Sequence, residues 1–491
     1  MARDSGYAPC TLDAMRLSLA AIPRHRATLW IFPVGLLLAG CAHFEDRPIA
    51  PAAATDAFEA RSLADPNLEA FLGANHALGA PQAGTWDLNS LALVAFYYHP
   101  DLAVARAQWA TARAAEVTAG ERPNPNFSAT PGYDSGIPGA PSPWILPFSL
   151  DVPIETAGKR GYRSVQASEL SEAARWNLVA AIWQVRSHVR TALLNLYAAD
   201  QMRALLTSQE AAQAQAVRLL EGQLSAGGIS GYEVTQGRIA LDTTRLAYQD
   251  ALRQSVEALS QLASALGLPR QALDGVRFSY AQLDSTPGEL SGTEARRQAL
   301  LNRADVRAAL AEYAASQSAL QLEIARQYPD IHLGPGYSWN GGSAGDSQWQ
   351  LGLGLTLPVL NQNQGAIGEA KAKREEAAAR FQAVEAGAIA EVAGALAGYQ
   401  AALQQSAVTE ALSKNLRQDL DSVRAMQGAG EADPLAVANA EVQYYASAGT
   451  QLNALVRVRQ ALGALEDATE SPMILPESTL NSAQQVPPPL L

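Results

Sequence analysis

Cysteine is almost missing from these 491 residues: Cys10 and Cys41 are the only two. Neither a disulfide framework nor a thiolate metal site can be built from them. Histidine is sparse as well. Beyond residue 40 only His43, His76, His99, His188 and His332 remain, and none pairs with another at metal-ligand spacing. Basic residues are outnumbered, 36 Lys and Arg against 48 Asp and Glu, for a net charge of −12. That balance, with no long Lys/Arg block, argues against nucleic acid as a partner. No window of about 18 uninterrupted apolar residues occurs beyond the N-terminus, which argues against helical membrane spans. HExxH, CxxC, P-loop, nucleophile-elbow and glycine-rich dinucleotide motifs are all absent. Gly352-Leu353-Gly354 is no cofactor loop, because it lies inside a strand pattern. Met202, Met426 and Met473 are too few for a copper relay. The expectation is a protein without catalysis, cofactor or structural metal.

Both cysteines belong to the N-terminus. Arg24, His25 and Arg26 precede an apolar run, Ala27–Leu38, and Leu38-Ala39-Gly40-Cys41 follows. A basic region, a short apolar core and small residues before the cut describe an export signal, residues 1–40. The Leu-Ala-Gly-Cys ending resembles a bacterial lipobox, which implies cleavage before Cys41 and lipidation of its thiol; ordinary signal cleavage nearby would leave it free. The long basic part makes Met15 a candidate start. The first forty residues carry four Arg and two Asp, so the mature chain holds −14. Residues 41–84, rich in Ala and Pro, read as an extended leader tethering the body to its anchor.

The most informative stretch is Trp349–Val359, WQLGLGLTLPV. Trp349, Leu351, Leu353, Leu355, Leu357 and Val359 share one face, and Gln350, Gly352, Gly354, Thr356 and Pro358 the other. Strict period-2 alternation over about 11 residues describes a β-strand with one fully apolar face. That length suits a tilted strand crossing a bilayer, although a half-buried strand of a soluble sheet has the same pattern. Trp144–Ile154 alternates likewise, with Pro147 and Pro153 inside it. Phe127–Tyr133 and Ile331–Trp339 complete a set of four.

Around these strands the chain repeats itself. Asp101-Leu102 through Pro131-Gly132-Tyr133 matches Asp305-Val306 through Pro335-Gly336-Tyr337 at a constant offset. Residues 85–267 form the first repeat, 268–291 an irregular link and 292–467 the second repeat, leaving 468–491 as a disordered tail ending in a Pro487–Pro489 run. Each repeat opens with a helix (Asp87 to about Glu121 in the first), then two strands, then a very long helix. The long helices span about 161–224 and 365–427, each roughly 95 Å at 1.5 Å per residue. Leu178, Ile182, Val185, Val189, Leu193 and Leu196 recur at spacings of three and four in the first, and Ile389, Val392, Leu396, Tyr399 and Leu403 in the second. Gly227-Gly228 ends the first, and Ser230 with Glu233 signals a capping box. Gly428 and Gly430 end the second, where Asp433 caps a helix that opens on Pro434. In each repeat the two shorter helices, stacked end to end, match the long one in length.

Four amphipathic strands cannot close a barrel alone, since membrane barrels need at least eight. An open duct needs three or more chains; three give twelve strands around one cyclic axis. A solvated coiled-coil rod would explain the helices but not the strands.

This duplicated helix, strand, strand, helix plan resembles the TolC family of outer-membrane efflux proteins over about residues 85–467. Ser142–Arg163 (SPWILPFSLDVPIETAGKRGYR) and Trp349–Ala377 (WQLGLGLTLPVLNQNQGAIGEAKAKREEA) resemble most its CzcC-like heavy-metal branch. The resemblance implies a mostly α homotrimer: a twelve-stranded membrane β-barrel, four strands per chain, continued by an α-helical barrel across the periplasm. It also implies docking to an adaptor protein and an inner-membrane pump of the RND type. The turns 225–233 and 428–435 would then be periplasmic tips, with Gly227, Gly228, Ser230, Gly430, Asp433 and Pro434 as docking candidates. The family's paired aperture aspartates fall on Ala436 and Asn439 here, which leaves Glu233, Glu431 and Asp433 to supply acidity. The expected function is a passive export duct of a tripartite efflux system, lipid-anchored in the outer membrane and carrying heavy-metal cations. Drugs or other small molecules are the alternative cargo, and a pore-less periplasmic coiled-coil adaptor is the alternative class.

Overall fold

The computed structural model describes residues 43–75, 84–133, 135, 142–281, 292–340 and 347–471. The export signal, Cys41, His76, Met473 and residues 472–491 lie outside them. The chain divides into two units, Met1–Ala54 and Thr55–Leu491.

The leader is not extended throughout. It contains α1 (Pro51–Glu59) and α2 (Pro66–Ala74). Each opens on a proline, whose missing N–H costs nothing at a first helical position. Asp65 caps α2 by accepting from the Asn67 N–H at 2.8 Å. Leu68 and Leu72, one turn apart, are buried in the main core. That spacing is the helical signal hidden in an Ala/Pro-rich stretch.

The helical pattern expected from Asp87 to Glu121 is two helices, α3 (Leu88–Tyr98) and α4 (Pro100–Gly120), after a short strand β1 (Thr85–Trp86). Pro100 forces His99 into extended backbone, so the chain turns a corner there. Asp87 and Ser90 cap α3 reciprocally, each accepting from the other's backbone N–H at 2.8 and 3.0 Å. From Leu88 to Phe96 every described side chain except Asn89 is buried, so α3 is the centre of the core rather than a surface helix.

Three pieces form the polar-and-apolar sheet strands of the first repeat: β2 (Asn126–Ala129), β3 (Gly132–Tyr133) and β4 (Trp144–Ile154). The expected continuous strand 127–133 is interrupted at Thr130-Pro131, where proline has no N–H for the ladder. The first long helix, α5 (Lys159–Ser225), has 67 residues, about 100 Å by its rise. It turns into α6 (Gly231–Leu266). The link expected to be irregular contains a 3-10 turn at Arg270–Leu273 and β5 (Arg277–Phe278), which pairs in parallel with β1.

The second repeat follows the same order: α7 (Gly292–Asn302), α8 (Ala304–Ala325), β6 (Ile331–Asn340), β7 (Gln348–Leu355), α9 (Gln364–Gly428) and α10 (Pro434–Thr469). β7 ends at Leu355, four residues before Val359, because Pro358 cannot continue the ladder. α10 reaches Thr469, so the tail starts later than residue 468. Helix α5 packs on α4 and α6 of its own repeat and on α8 and α10 of the other. Helix α9 packs on α8 and α10 and leaves most of its length exposed within one chain.

The corner where α6 ends carries a prediction. Gly267 is left-handed (φ 72°), and a Cβ there would lie 2.8 Å from the Tyr98 carbonyl oxygen. Arg61 from the leader donates to both Gly267 O (2.9 Å) and Tyr98 O (3.2 Å), tying leader and helix ends together. Gly267→Ala is expected to destabilise the protein by about 1–3 kcal/mol, through left-handed strain and displacement of Tyr98. Urea unfolding measures this; a midpoint equal to the parent's would mean the corner is not packed this way.

Candidate functional site

Four strands form one antiparallel sheet in the order β2, β4, β6, β7, with β3 also on β4. The sheet is therefore a central pair, β4 and β6, flanked by two edges that pair with nothing else among the described residues. Register sorts the side chains into two faces. Opposed on one face are Phe127 and Leu150, Leu146 and Trp339, Phe148 and Tyr337, Leu333 and Leu353, Tyr337 and Trp349. Aromatic pairs reinforce it: Tyr133 with Trp144 at 5.3 Å between ring centroids, and Tyr337 with Trp349 at 4.7 Å. Within one chain this face is largely uncovered; Trp349, Leu351 and Leu353 are 83%, 76% and 66% exposed. An apolar surface of this kind needs a non-aqueous neighbour.

The opposite face is mostly small and polar, with Ser128, Ser149, Asp151, His332, Gly334, Gly336, Ser338, Gln350, Gly352 and Gly354 beside Ile145, Pro147 and Pro153. Ser128 and Ser149 share a hydrogen bond of 2.7 Å. His332 Nδ1 lies 3.1 Å from each carboxylate oxygen of Asp151. The alternation of Ile331–Trp339 puts His332 on this face, and the position of Asp151 opposite the apolar residues of β4 was the signal for its partner.

Below the sheet, short ties fix each strand to its helix. Lys159, buried at the start of α5, donates to Tyr328 O (2.7 Å) and Asp330 Oδ1 (2.8 Å). Asp330 also accepts from the Thr156 N–H at 2.9 Å, and its carboxyl sits below the usual range because these bonds outweigh the burial that would raise it. In the second repeat Asn363, left-handed at φ 63°, donates to the Glu323 carbonyl and carboxylate instead.

The far ends of the long helices are two turns built alike. In the first, Gly228 N–H donates to Gln223 O and Gly227 N–H to Leu224 O; in the second, Glu431 N–H donates to Met426 O and Gly430 N–H to Gln427 O. Each is a Schellman turn whose left-handed residue is glycine, Gly227 (φ 77°) and Gly430 (φ 80°). Glu233 accepts from the Ser230 N–H at 2.8 Å. Asp433 Oδ1 accepts from the Leu435 N–H at 2.9 Å as α10 opens on Pro434, while its Oδ2 accepts from Gln223 Nε2 at 3.0 Å. The two turns are thus joined by a link that sequence spacing did not reveal. Arg238 with Glu221 (2.6 Å) and Arg424 with Glu441 (2.7 Å) brace each hairpin.

This changes the standing of the candidate aperture acids. Asp433 and Glu233 engage their carboxylates at helix starts, and both are exposed, as are Glu431, Ala436 and Asn439. Asp433→Ala is expected to speed amide exchange at Leu435 about fivefold, the loss of one helix cap worth about 1 kcal/mol. Unchanged exchange would remove Asp433 from the turn's support. Among the described residues no group of three His, Cys, Asp or Glu could hold a metal, and no helix is long and apolar enough to cross a membrane.

The fold matches solved outer-membrane channels. VceC of Vibrio cholerae aligns with a TM-score of 0.64 at 21% identity, over 78% of this chain and 95% of that one. CusC aligns with a TM-score of 0.63 at 20% identity, over 78% and 91%. In sequence, the cobalt-zinc-cadmium resistance protein CzcC of Cupriavidus metallidurans is 27% identical over 226 residues, covering 44% of this chain and 51% of that protein. The pyoverdine export outer membrane protein OpmQ of Pseudomonas aeruginosa is 28% identical over 326 residues, covering 62% and 65%. The matched region thus spans between half and two thirds of these relatives' length. The outer membrane efflux protein family matches residues 95–268 and 295–470, one segment per repeat. With both repeats matched and the fold shared, the chain belongs to the outer membrane efflux protein family.

Proposed function

We propose that three copies of this chain form a passive export duct through the outer membrane, handed its cargo by a periplasmic adaptor and an inner-membrane RND-type pump. The observation that carries this reading is a four-stranded sheet with one exposed apolar face and two edges unpaired among the described residues, each long helix leaving it for about 100 Å. Lipid would cover the apolar face, and neighbouring subunits would complete the edges. Twelve strands then enclose a water-filled lumen, and α9's exposed length becomes an interface of the helical barrel. A pore-less adaptor would not need such strands. Extraction separates the two: a heat-resistant trimer in outer-membrane fractions fits the duct, and release by salt or alkali overturns it.

For cargo, the reading is heavy-metal cations, on the likeness to CzcC. The likeness to OpmQ covers more of the chain and favours a second reading, a small organic molecule. Deleting the gene should sensitise cells to one or more of cobalt, zinc, cadmium, copper and silver. Sensitivity confined to a drug panel would overturn the metal reading. Anchoring through Cys41 belongs to the same proposal: Cys41→Ser should abolish acyl labelling, and unchanged labelling would remove it.

A further inference from the structure

Of the residues in β2, β3, β4, β6 and β7, only Asp151 and His332 are acidic or basic. Both stand on the polar face, on the two central strands, and at the same level: His332 is opposite Pro153, two residues from Asp151. The imidazole Nδ1 contacts both carboxylate oxygens at 3.1 Å, which fixes the carboxylate against the sheet. Neither is sequestered, the side chains being 39% (His332) and 48% (Asp151) exposed. The wall around them carries little to cover them. His332 faces Gly354 across the β6–β7 ladder, and Gly334 faces Gly352. A Cβ on Gly354 would meet the His332 Cβ at 3.2 Å, so the glycine leaves the imidazole its room. The remaining side chains of this face are Ser, Gln, Asn, Ile and Pro.

We infer that Asp151, positioned by His332, is the charge station of the duct's barrel wall, biasing passage toward cations at that level. The inference rests on the duct reading, in which the polar face lines the lumen and three copies repeat the pair around it. The lumen of such a barrel is wide, so the station acts as a fixed potential on ions in transit rather than as a ligand shell. A carboxylate raises the local concentration of cations and lowers that of anions by Coulomb attraction and repulsion, damped by salt. Apart from His332, which offsets the carboxylate only when its imidazole is protonated, no acidic or basic side chain of the described strands opposes or adds to it. A cargo of metal cations would pass this level more readily than an anion of equal size.

The test reads the potential in place. Ser149 lies on the same face of β4, about 7 Å from Asp151 by strand rise. Ser149→Cys in the full chain, reconstituted in liposomes, is treated with cationic and anionic water-soluble thiosulfonates; the parent chain serves as the blank for Cys41. Leu150→Cys reports the opposite face. We expect Cys-substituted position 149 to react and position 150 to be silent. We expect Asp151→Asn to lower the cationic-to-anionic rate ratio at position 149 about threefold at 0.1 M salt. Asp151→Ser, matching the serines on this face, gives the same reading should the carboxamide variant not assemble. A reactive position 149 whose rate ratio ignores both substitutions overturns the charge station while leaving the duct intact. Reaction at position 150 with silence at 149 overturns the duct reading itself, and the station with it.

Discussion

Glu466→Ala is expected to cost about 3–5 kcal/mol, because it strands the buried Arg186 guanidinium and leaves Asp467 as the one carboxylate on Arg190. Glu466 is fully buried in α10 facing α5, the long helix of the other repeat. Its Oε2 accepts from Arg186 Nη1 and Nη2, both at 3.2 Å, and from Arg190 Nη1 at 2.8 Å. Arg190 also donates to the Gly463 carbonyl at 2.9 Å, and a Cβ at Gly463 would lie 2.6 Å from its Nε. Arg186 is itself fully buried; burial is the largest influence on it and lowers its pKa, with the Glu466 charge pulling the other way. Removing the carboxylate leaves only the weaker pull of the Asp467 charge against burial. At about 2 cal/mol/K of unfolding entropy per residue, the melting point of this chain should fall by roughly 3–5 °C. Replacing Arg186, Arg190 and Glu466 by Met, with Asp467 (the ion-pair partner of Arg190) made Asn, should recover most of the loss, since that set carries no stranded charge. Circular-dichroism melts of the three proteins decide it. A Glu466→Ala melting point within about 1 °C of the parent would mean that water reaches the cluster.

That cluster also marks where sequence reading stops. Periodicity gave the two long helices to within two residues at either end, because about 18 turns of repeating pattern outweigh any local ambiguity. Alternation gave β4 at its observed ends despite two prolines, since six apolar side chains on one face leave no other register. The misses share a cause: each was decided by a partner distant in sequence. Leu68 and Leu72 make α2 a helix worth forming only because the core of α3 receives them. Arg277-Phe278 becomes a strand only beside Thr85-Trp86. Arg186 and Arg190 read as ordinary helix-face charges until Glu466, some 280 residues away, is placed between them. At the tips the turn chemistry was legible from Gly227, Gly430 and Pro434. The Gln223–Asp433 link was not, because no local pattern couples residues 210 apart.

Leu351→Arg should remove the protein from the outer membrane, whereas Gln350→Arg, its neighbour in sequence, should be tolerated. Leu351 is opposite Pro335 near the middle of β6, and its side chain is 76% exposed on the apolar face. In a soluble sheet an exposed leucine could become arginine at little cost, within about 0.5 kcal/mol. Against lipid near the bilayer midplane the same change costs about 2–4 kcal/mol in each subunit. In the proposed trimer three subunits bear it together, so the effect on assembly is compounded roughly threefold, enough to prevent insertion of a marginally stable membrane domain. Gln350 points to the other face, above Gly336, where an added charge would meet water. The pair of variants therefore tests which side of the sheet faces lipid with a single-residue step, using the period of a strand as its own control. Heat-resistant oligomer in outer-membrane fractions is the measurement. Equal yields from both variants would mean that neither face meets lipid, and the apolar row from Trp349 to Leu355 would then need a protein to cover it.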